Sequence, residues 1–167
     1  MHRRLVAGTA ALLAGLAGAA AADGCGAAAQ GQQAAGAEGV RAAASAFYAA
    51  LNARDIRAME ALWAPDPEVV MIHPSGPFAR APAVGPEAVR RSFAEAWPRF
   101  AEWSVRVDGM RVRVGQGWAA VLATTPVHVR MQSEDAAHDY TALTTILYER
   151  RDGHWLIVHQ HVSQPPR

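Results

Sequence analysis

The stretch Gly153-His154-Trp155-Leu156-Ile157-Val158-His159-Gln160-His161-Val162-Ser163 predicts the last strand of a β-sheet and does most to decide the fold. Asp152-Gly153 favours a tight turn before it, and Pro165-Pro166 ends it. Side chains alternate across a strand, so we expect one face to carry Trp155, Ile157, His159, His161 and Ser163, and the other Leu156, Val158, Gln160 and Val162. A face that combines imidazole groups with apolar side chains is typical of a pocket wall.

The rest of the chain predicts helices first and long strands afterwards. Apolar residues at helical spacing predict three helices, at Val40–Ala53, Ile56–Trp63 and Pro86–Trp97. Alternating patterns predict strands at Glu68–His73, Ser104–Val114, Trp118–Arg130, His138–Arg150 and in the final stretch. This order predicts an α+β fold, in which one curved antiparallel sheet packs as a cone-shaped barrel against three N-terminal helices.

The first residues predict export. A basic start is followed by an apolar run that ends in small residues, so we interpret residues 1–22 as a signal peptide and expect a periplasmic or secreted protein. Residues 23–39 are rich in Ala, Gly and Gln and predict a flexible linker, which leaves 40–165 as the domain. Cys25 is the single cysteine. It leaves open a lipid anchor, and without one we expect no membrane attachment.

Charge and motifs exclude several classes of function. The net charge is +1, 19% of residues are charged, and no basic stripe with interleaved aromatics occurs, which argues against nucleic-acid binding. The sequence has no glycine-rich phosphate loop, nucleophile elbow or paired-cysteine motif. We therefore expect no nucleotide cofactor, no serine hydrolysis and no thiol redox chemistry.

Five short pieces, in this order and spacing, resemble the SnoaL-like branch of the nuclear transport factor 2-like superfamily. The pieces are Tyr48-Ala-Ala-Leu51 with Asp55, Leu62-Trp63, Ile72-His73-Pro74, Gly85-Pro-Glu-Ala-Val89, and Arg151-Asp-Gly-His-Trp155-Leu-Ile157 leading to His159-Gln-His161-Val-Ser163. The resemblance implies a cone-shaped α+β fold. It also implies a small-molecule ligand and a homodimer formed through the outer face of the sheet, and it brings no metal.

Ketosteroid isomerases, relatives within this superfamily, imply roles for single residues. Tyr48 matches their oxyanion tyrosine in the first helix. His73 stands where they carry a general-base Asp before Pro, and imidazole can also take a proton near neutral pH. Thr144 or Thr145 stands where they carry a second, protonated Asp. The resemblance therefore implies a related pocket without implying steroid isomerisation.

The candidate catalytic residues are thus His73, as the base, and Tyr48, as the hydrogen-bond donor to an oxyanion. Candidate ligand-binding residues are His159, His161, Trp63, Trp97, Trp118 and Thr144. The tryptophans could equally belong to the core. A His-x-His pair on a strand, with His73 and His128, could also bind zinc or copper, but no further carboxylate or cysteine ligand stands out. We therefore predict pocket lining rather than a metal site.

Two classes of function remain open from the sequence. The first is cofactor-free acid-base catalysis on a small, mostly apolar organic molecule, of the isomerase, dehydratase or hydrolase type. The second is a non-catalytic, dimeric module for ligand binding or assembly.

Overall fold

The computed structural model describes residues 19–73 and 81–164, with side chains from residue 36 onward. The helices are α1 (Ala19–Ala53), α2 (Ile56–Leu62) and α3 (Pro86–Ala96), and a 3-10 turn follows at Trp97–Arg99. The strands are β1 (Val70–Ile72), β2 (Ala83–Val84), β3 (Phe100–Val105), β4 (Gly109–Val114), β5 (Trp118–Met131), β6 (His138–Arg151) and β7 (His154–Ser163). None of the described helices has the length and hydropathy that crossing a membrane requires.

The chain divides into two compact units, Met1–Gln32 and Gln33–Arg167. In the first, the described residues belong to helix α1. Most of the predicted signal peptide, residues 1–18, lies outside the described residues, as do Pro74 of the third motif, Ile72-His73-Pro74, and the predicted stop at Pro165-Pro166. Export and the cleavage site stay predictions.

Helix α1 begins well before Val40, where the apolar stripe predicts its start. Alanine is the strongest helix former, so an Ala-rich segment continues the helix without an apolar stripe. Within the second unit this extension contacts the sheet, because a Cβ atom at Gly39 would lie 3.1 Å from Nε1 of Trp155. Glycine at this position lets the helix approach the indole ring closely.

The sheet has the strand order β2-β1-β7-β6-β5-β3, and β4 also pairs with β5. It curls strongly into a half-barrel around the helices, which confirms the predicted α+β cone. One pair of strands departs from the predicted antiparallel arrangement, so the sheet is mixed. Strand β1 runs parallel to β7, with Val70 opposite His159, because β1 enters the sheet from the helical half of the chain rather than through a hairpin.

Pro126 lies in the middle of β5, although proline predicts an edge strand or a bulge. The pairing of β5 with both β3 and β4 explains how the sheet accommodates this proline. Strand β3 pairs with β5 up to Val127, and β4 resumes the pairing at Thr124. Pro126 therefore lies opposite the break between β3 and β4, where the ladder tolerates a residue without an N–H group.

A bulge changes the face pattern of β7. Leu147 pairs with His159 and Tyr148 pairs with Ile157, so Val158 is an extra residue between two regular pairs. Ile157 and Gln160 are accordingly both buried although they are three residues apart. The predicted alternation through the whole strand is wrong, because the bulge exchanges the two faces from His159 onward.

Asn52 fixes the end of α1 to β3. Its Nδ2 donates to the carbonyl of Val105 and its Oδ1 accepts from the N–H of the same residue, both at 2.8 Å. Asn52→Ala should lower the free energy of unfolding by about 1–2 kcal/mol, since two backbone groups lose their partner at a partly exposed site. Urea denaturation would measure this, with Arg57→Ala on the exposed side of α2 as the control. Equal stability of the two variants would contradict the assignment.

Candidate functional site

The concave face of the sheet and the helices enclose an inner cavity. Five elements supply its wall: α1, α3, β3 and the two longest strands, β5 and β6, while His73 after β1 and the end of β7 complete it. Its lining is Phe47, Tyr48, Leu51, His73, Phe93, Trp103, Val105, Thr125, Val127, Tyr140, Ala142, Thr144, Gln160 and Val162. The two predicted catalytic residues, Tyr48 and His73, therefore line the same cavity as the predicted Thr144.

Tyr48 presents a buried phenol to this cavity. It is 6% exposed, and burial raises the pKa of its hydroxyl to about 12, although the nearby Thr144 hydroxyl lowers it in part. Its oxygen has no well-formed hydrogen bond within the described residues. The group stays protonated at neutral pH and can donate to a bound molecule, but it cannot act as a base there.

Two threonines lie in the wall beside Tyr48. The Oγ1 atom of Thr125 donates to the carbonyl of Ala142 at 3.1 Å and lies 3.3 Å from Oγ1 of Thr144. A hydroxyl has one proton, so Thr144 is the donor in this pair of threonines. The two threonine hydroxyls are thus engaged with each other and with the backbone, and the Thr144 oxygen remains an acceptor beside Tyr48.

Further buried polar atoms lie in the same wall. Neither Oε1 of Gln160 nor Nε1 of Trp103 has a hydrogen-bond partner among the residues that the structure describes. An unsatisfied buried polar group costs about 1–3 kcal/mol, so such groups in a cavity wall indicate a site for water or a ligand. Together with Tyr48, they offer two donors and one acceptor on an otherwise apolar surface.

His73 follows β1 directly and is half-buried in the cavity wall, with its Nδ1 atom shielded from solvent. No Asp, Glu, Lys or Arg occurs among the lining residues given above. An imidazole in such a wall is the group best suited to take a proton from a bound molecule at neutral pH.

The inner cavity is narrow. About 30 Å³ of space is open to water molecules, which is enough for about two of them. A larger molecule can enter only if a side chain of the wall moves.

The structure places the three predicted ligand-binding tryptophans elsewhere. Trp63 is 5% exposed and lines a separate groove between α2 and α3, and Trp97 is buried beside Phe93, with ring centroids 5.2 Å apart. Trp118 is 49% exposed on the outer face of the sheet. The alternate residues of this part of β5, Ala119, Val121 and Ala123, face inward. They are small, so the space inside the sheet at this point has no room for an indole ring.

The two predicted ligand-binding histidines of β7 lie on the outer face as well. The bulge at Val158 turns His159 and His161 outward, and it turns Gln160 and Val162 into the cavity in their place. Partial burial and the neighbouring His161 lower the pKa of His159. His128 is also outside the cone, where its Nδ1 lies 2.7 Å from Oδ1 of Asp139 and its Nε2 lies 3.2 Å from Oε2 of Glu102.

These positions separate the histidines that could have formed a metal site. Among the described residues, no group of three or more His, Cys, Asp or Glu side chains is arranged to hold a metal ion.

Sequence signals for the missed cavity residues were weak. Thr125 shares its β5 face with Ala123 and Val127, which alternation alone would place inward, but nothing marks it as part of a site. Gln160 was predicted on the opposite face to the pocket because a bulge leaves no clear signal in an apolar strand.

Comparison with known proteins agrees with this architecture. The model of the SnoaL-like domain family matches residues 40–167, most of the chain and all of the cavity wall. The chain belongs to the SnoaL-like family. No protein of curated function matches it significantly.

Solved structures similar to this SnoaL-like protein share its fold at low sequence identity. A nuclear transport factor 2-like family protein from Streptomyces avermitilis is 21% identical over 78% of this chain and 97% of its own, with a TM-score of 0.69. A hexachlorocyclohexane dehydrochlorinase from Novosphingobium barchaimii is 16% identical over 79% and 89%, with a TM-score of 0.67. A ketosteroid isomerase-like protein from Erwinia carotovora atroseptica is 20% identical over 78% and 97%, with a TM-score of 0.66.

Proposed function

We propose that this SnoaL-like protein binds a small, mostly apolar organic molecule with a carbonyl-type acceptor and catalyses proton transfer on it without a cofactor. The observation that carries the proposal is the shared cavity of Tyr48 and His73, a protonated donor and an imidazole in one apolar wall. The similarity in fold to a dehydrochlorinase and to a ketosteroid isomerase-like protein supports this class of chemistry.

The reaction begins when the ligand oxygen accepts a hydrogen bond from Tyr48. His73 then removes a proton from the carbon next to the carbonyl, and the C–H electron pair moves into an enolate. The developing negative charge on oxygen is stabilised by the Tyr48 hydroxyl in a setting with little water. The imidazolium of His73 exchanges its proton with solvent and then protonates the same carbon, which gives hydrogen exchange, or it transfers the proton to another carbon, which gives isomerisation. Where a leaving group stands at the neighbouring carbon, its loss gives an elimination.

Hydrogen exchange tests the proposal without knowledge of the natural substrate. A panel of alkyl and aryl ketones is incubated with the protein in deuterium oxide, and deuterium at the carbon next to the carbonyl is measured by mass spectrometry. Catalysed exchange above the buffer rate is expected for at least one ketone. Exchange at the buffer rate for the whole panel would refute the proposed chemistry.

We also propose that two copies of the chain form a homodimer through the outer face of the sheet. The alternative function, a non-catalytic module for ligand binding or assembly, would also require this dimer. Large apolar side chains lie exposed on this face, namely Val84, Trp118, Leu122, Leu143 and Leu147. The register places Leu147 opposite Ala120 and Leu122 opposite Thr145, between Leu143 and Leu147, so the apolar surface continues from β6 to β5. Monomers rarely expose such contiguous patches, and a two-fold axis would cover the patch with its own copy.

Leu147→Asp should convert this dimer to a monomer, because the variant buries an unpaired carboxylate at the interface. Light scattering at micromolar concentration would measure the mass. The control is Val107→Asp, which places the same charge at an exposed apolar residue between β3 and β4. A wild-type monomer, or an unchanged dimer in Leu147→Asp, would contradict this assignment.

A further inference from the structure

A second concave space lies between α2 and α3. The groove, as we call it below, is lined by Met59, Glu60, Trp63, Pro86, Glu87, Val89, Arg90 and Phe93. About 280 Å³ of it is open to water molecules, close to the lower end of the roughly 300–1,000 Å³ typical of ligand pockets. The groove is therefore far larger than the inner cavity, in which a small organic molecule has no room.

Phe93 separates the two spaces. Among the described residues it is the one that lines both the groove and the inner cavity, and its side chain is 3% exposed. Its ring packs against Trp97 at a centroid distance of 5.2 Å. Phe93 is therefore the residue at which the groove and the inner cavity meet.

The chemistry of the groove favours a neutral, apolar occupant. Met59, Val89 and Phe93 form an almost fully buried floor. The rim guanidinium of Arg90 is already engaged by carboxylates, at 2.6 Å from Glu87 and 3.5 Å from Glu60, so the rim offers no unpaired cation to an anionic ligand. Trp63 adds one buried indole N–H that has no acceptor among the described residues.

From these observations we propose that the groove is the entrance and outer half of the ligand site, and that movement of Phe93 joins it to the inner cavity. The ligand class is a neutral molecule with an aromatic or alicyclic body that lies in the groove, and with a carbonyl that reaches past Phe93 to Tyr48. The contact between the ligand carbonyl and Tyr48 rests on the proposed function. The existence of the groove and its apolar character do not, because they follow from the residues that line it.

The fluorescent aryl ketone prodan tests the groove, because it is neutral and apolar, carries one carbonyl, and emits at shorter wavelength when it leaves water. Titration of the wild-type protein should give saturable binding with such a shift. Glu60→Trp should weaken binding about tenfold by filling the rim, which corresponds to about 1.4 kcal/mol. The control, Glu95→Trp, carries the same new side chain on an exposed residue of α3 that is not part of the groove lining.

Substitutions of Phe93 test its role as the partition. Phe93→Ala should tighten prodan binding about tenfold, since the ring no longer has to be displaced. Phe93→Leu should give an intermediate increase and retains more of the core packing, so it serves if the alanine variant does not fold. Equal binding by Glu60→Trp and Glu95→Trp, or unchanged affinity in a folded Phe93 variant, would overturn the inference.

The same probe separates this inference from the proposed function. Prodan carries exchangeable protons next to its carbonyl. Groove-dependent binding without deuterium exchange on any ketone would leave the groove in place and refute the chemistry. If the protein exchanges small ketones and neither Glu60→Trp nor Phe93→Leu changes the rate, the proposed chemistry stands and the role of the groove is refuted.

Discussion

Replacing His73 with glutamine is expected to slow catalysed deuterium exchange by about 10²–10⁴-fold, the usual contribution of a positioned general base. Glutamine keeps polar atoms of similar reach in the cavity wall but cannot hold a proton at neutral pH. The rate is measured on the ketone that the wild-type protein exchanges fastest. His128→Gln is the matched control, because His128 lies outside the cone between Asp139 and Glu102.

A His73→Gln variant that exchanges the ketone at the wild-type rate would remove His73 from the mechanism. A loss of equal size in His128→Gln would instead point to an indirect effect of removing an imidazole. Circular dichroism and the free energy of unfolding of both variants are recorded alongside, so that a folding defect is recognised as one.

Tyr48→Phe is expected to slow the same exchange by about 10²-fold, the loss typical of removing one oxyanion donor. The variant should nevertheless be as stable as the wild type or more so. The hydroxyl that it removes is buried without a well-formed hydrogen bond among the described residues, and burying such a group costs about 1–3 kcal/mol. Lower activity with undiminished stability is a combination that a purely structural role of Tyr48 would not produce.

Tyr148→Phe provides the control for this prediction. Tyr148 is also fully buried, its hydroxyl also has no partner in the described part of the chain, and it is not among the residues that line the cavity. Its removal should leave the exchange rate unchanged. Equal losses of rate in the two variants would contradict the specific role of Tyr48.

The raised pKa of Tyr48 also predicts an alkaline dependence of stability. Its hydroxyl titrates at about 12 in the folded protein and at 10.0 when unperturbed, so the folded state holds this proton more tightly. The resulting stabilisation is fully present below pH 10 and is lost as the pH rises through about 12. Burial and the neighbouring Tyr48 raise the pKa of Tyr148 in the same direction. Urea denaturation at rising pH should show a smaller loss in Tyr48→Phe than in the wild type.

The sequence predicted those parts of the fold that depend on local patterns. Apolar spacing located α2 and α3, and alternation located β5 and β6, because each of these segments buries one continuous face, whereas β7 was located by its flanking turn and its apolar content. Tyr48 and His73 were found because the family resemblance supplied their positions in α1 and after β1. The parallel pairing of β1 with β7 could not be derived, since it depends on two segments far apart in the chain.

The errors in β7 have their cause in strand register. A single extra residue, Val158, exchanges the two faces of β7 and moves Gln160 inward and His159 outward. A strand in which apolar residues stand on both faces has no polar alternation that would reveal the change. Trp118 was misplaced for a related reason, because size alone favours a buried tryptophan, whereas the space inside β5 is matched to Ala119 and Val121.

Phe93 illustrates what only the tertiary structure reveals. Its helical spacing with Val89 correctly predicts an inward position. That its ring separates the groove from the inner cavity depends on the distance between α2 and α3 and on the curl of the sheet, which no local pattern encodes.

A crystal structure of the protein with bound prodan tests the central claim most directly. We expect the carbonyl oxygen within hydrogen-bond distance of Oη of Tyr48, with the adjacent carbon facing the imidazole of His73. A carbonyl group that lies outside the inner cavity, or one that points away from Tyr48, would contradict the account.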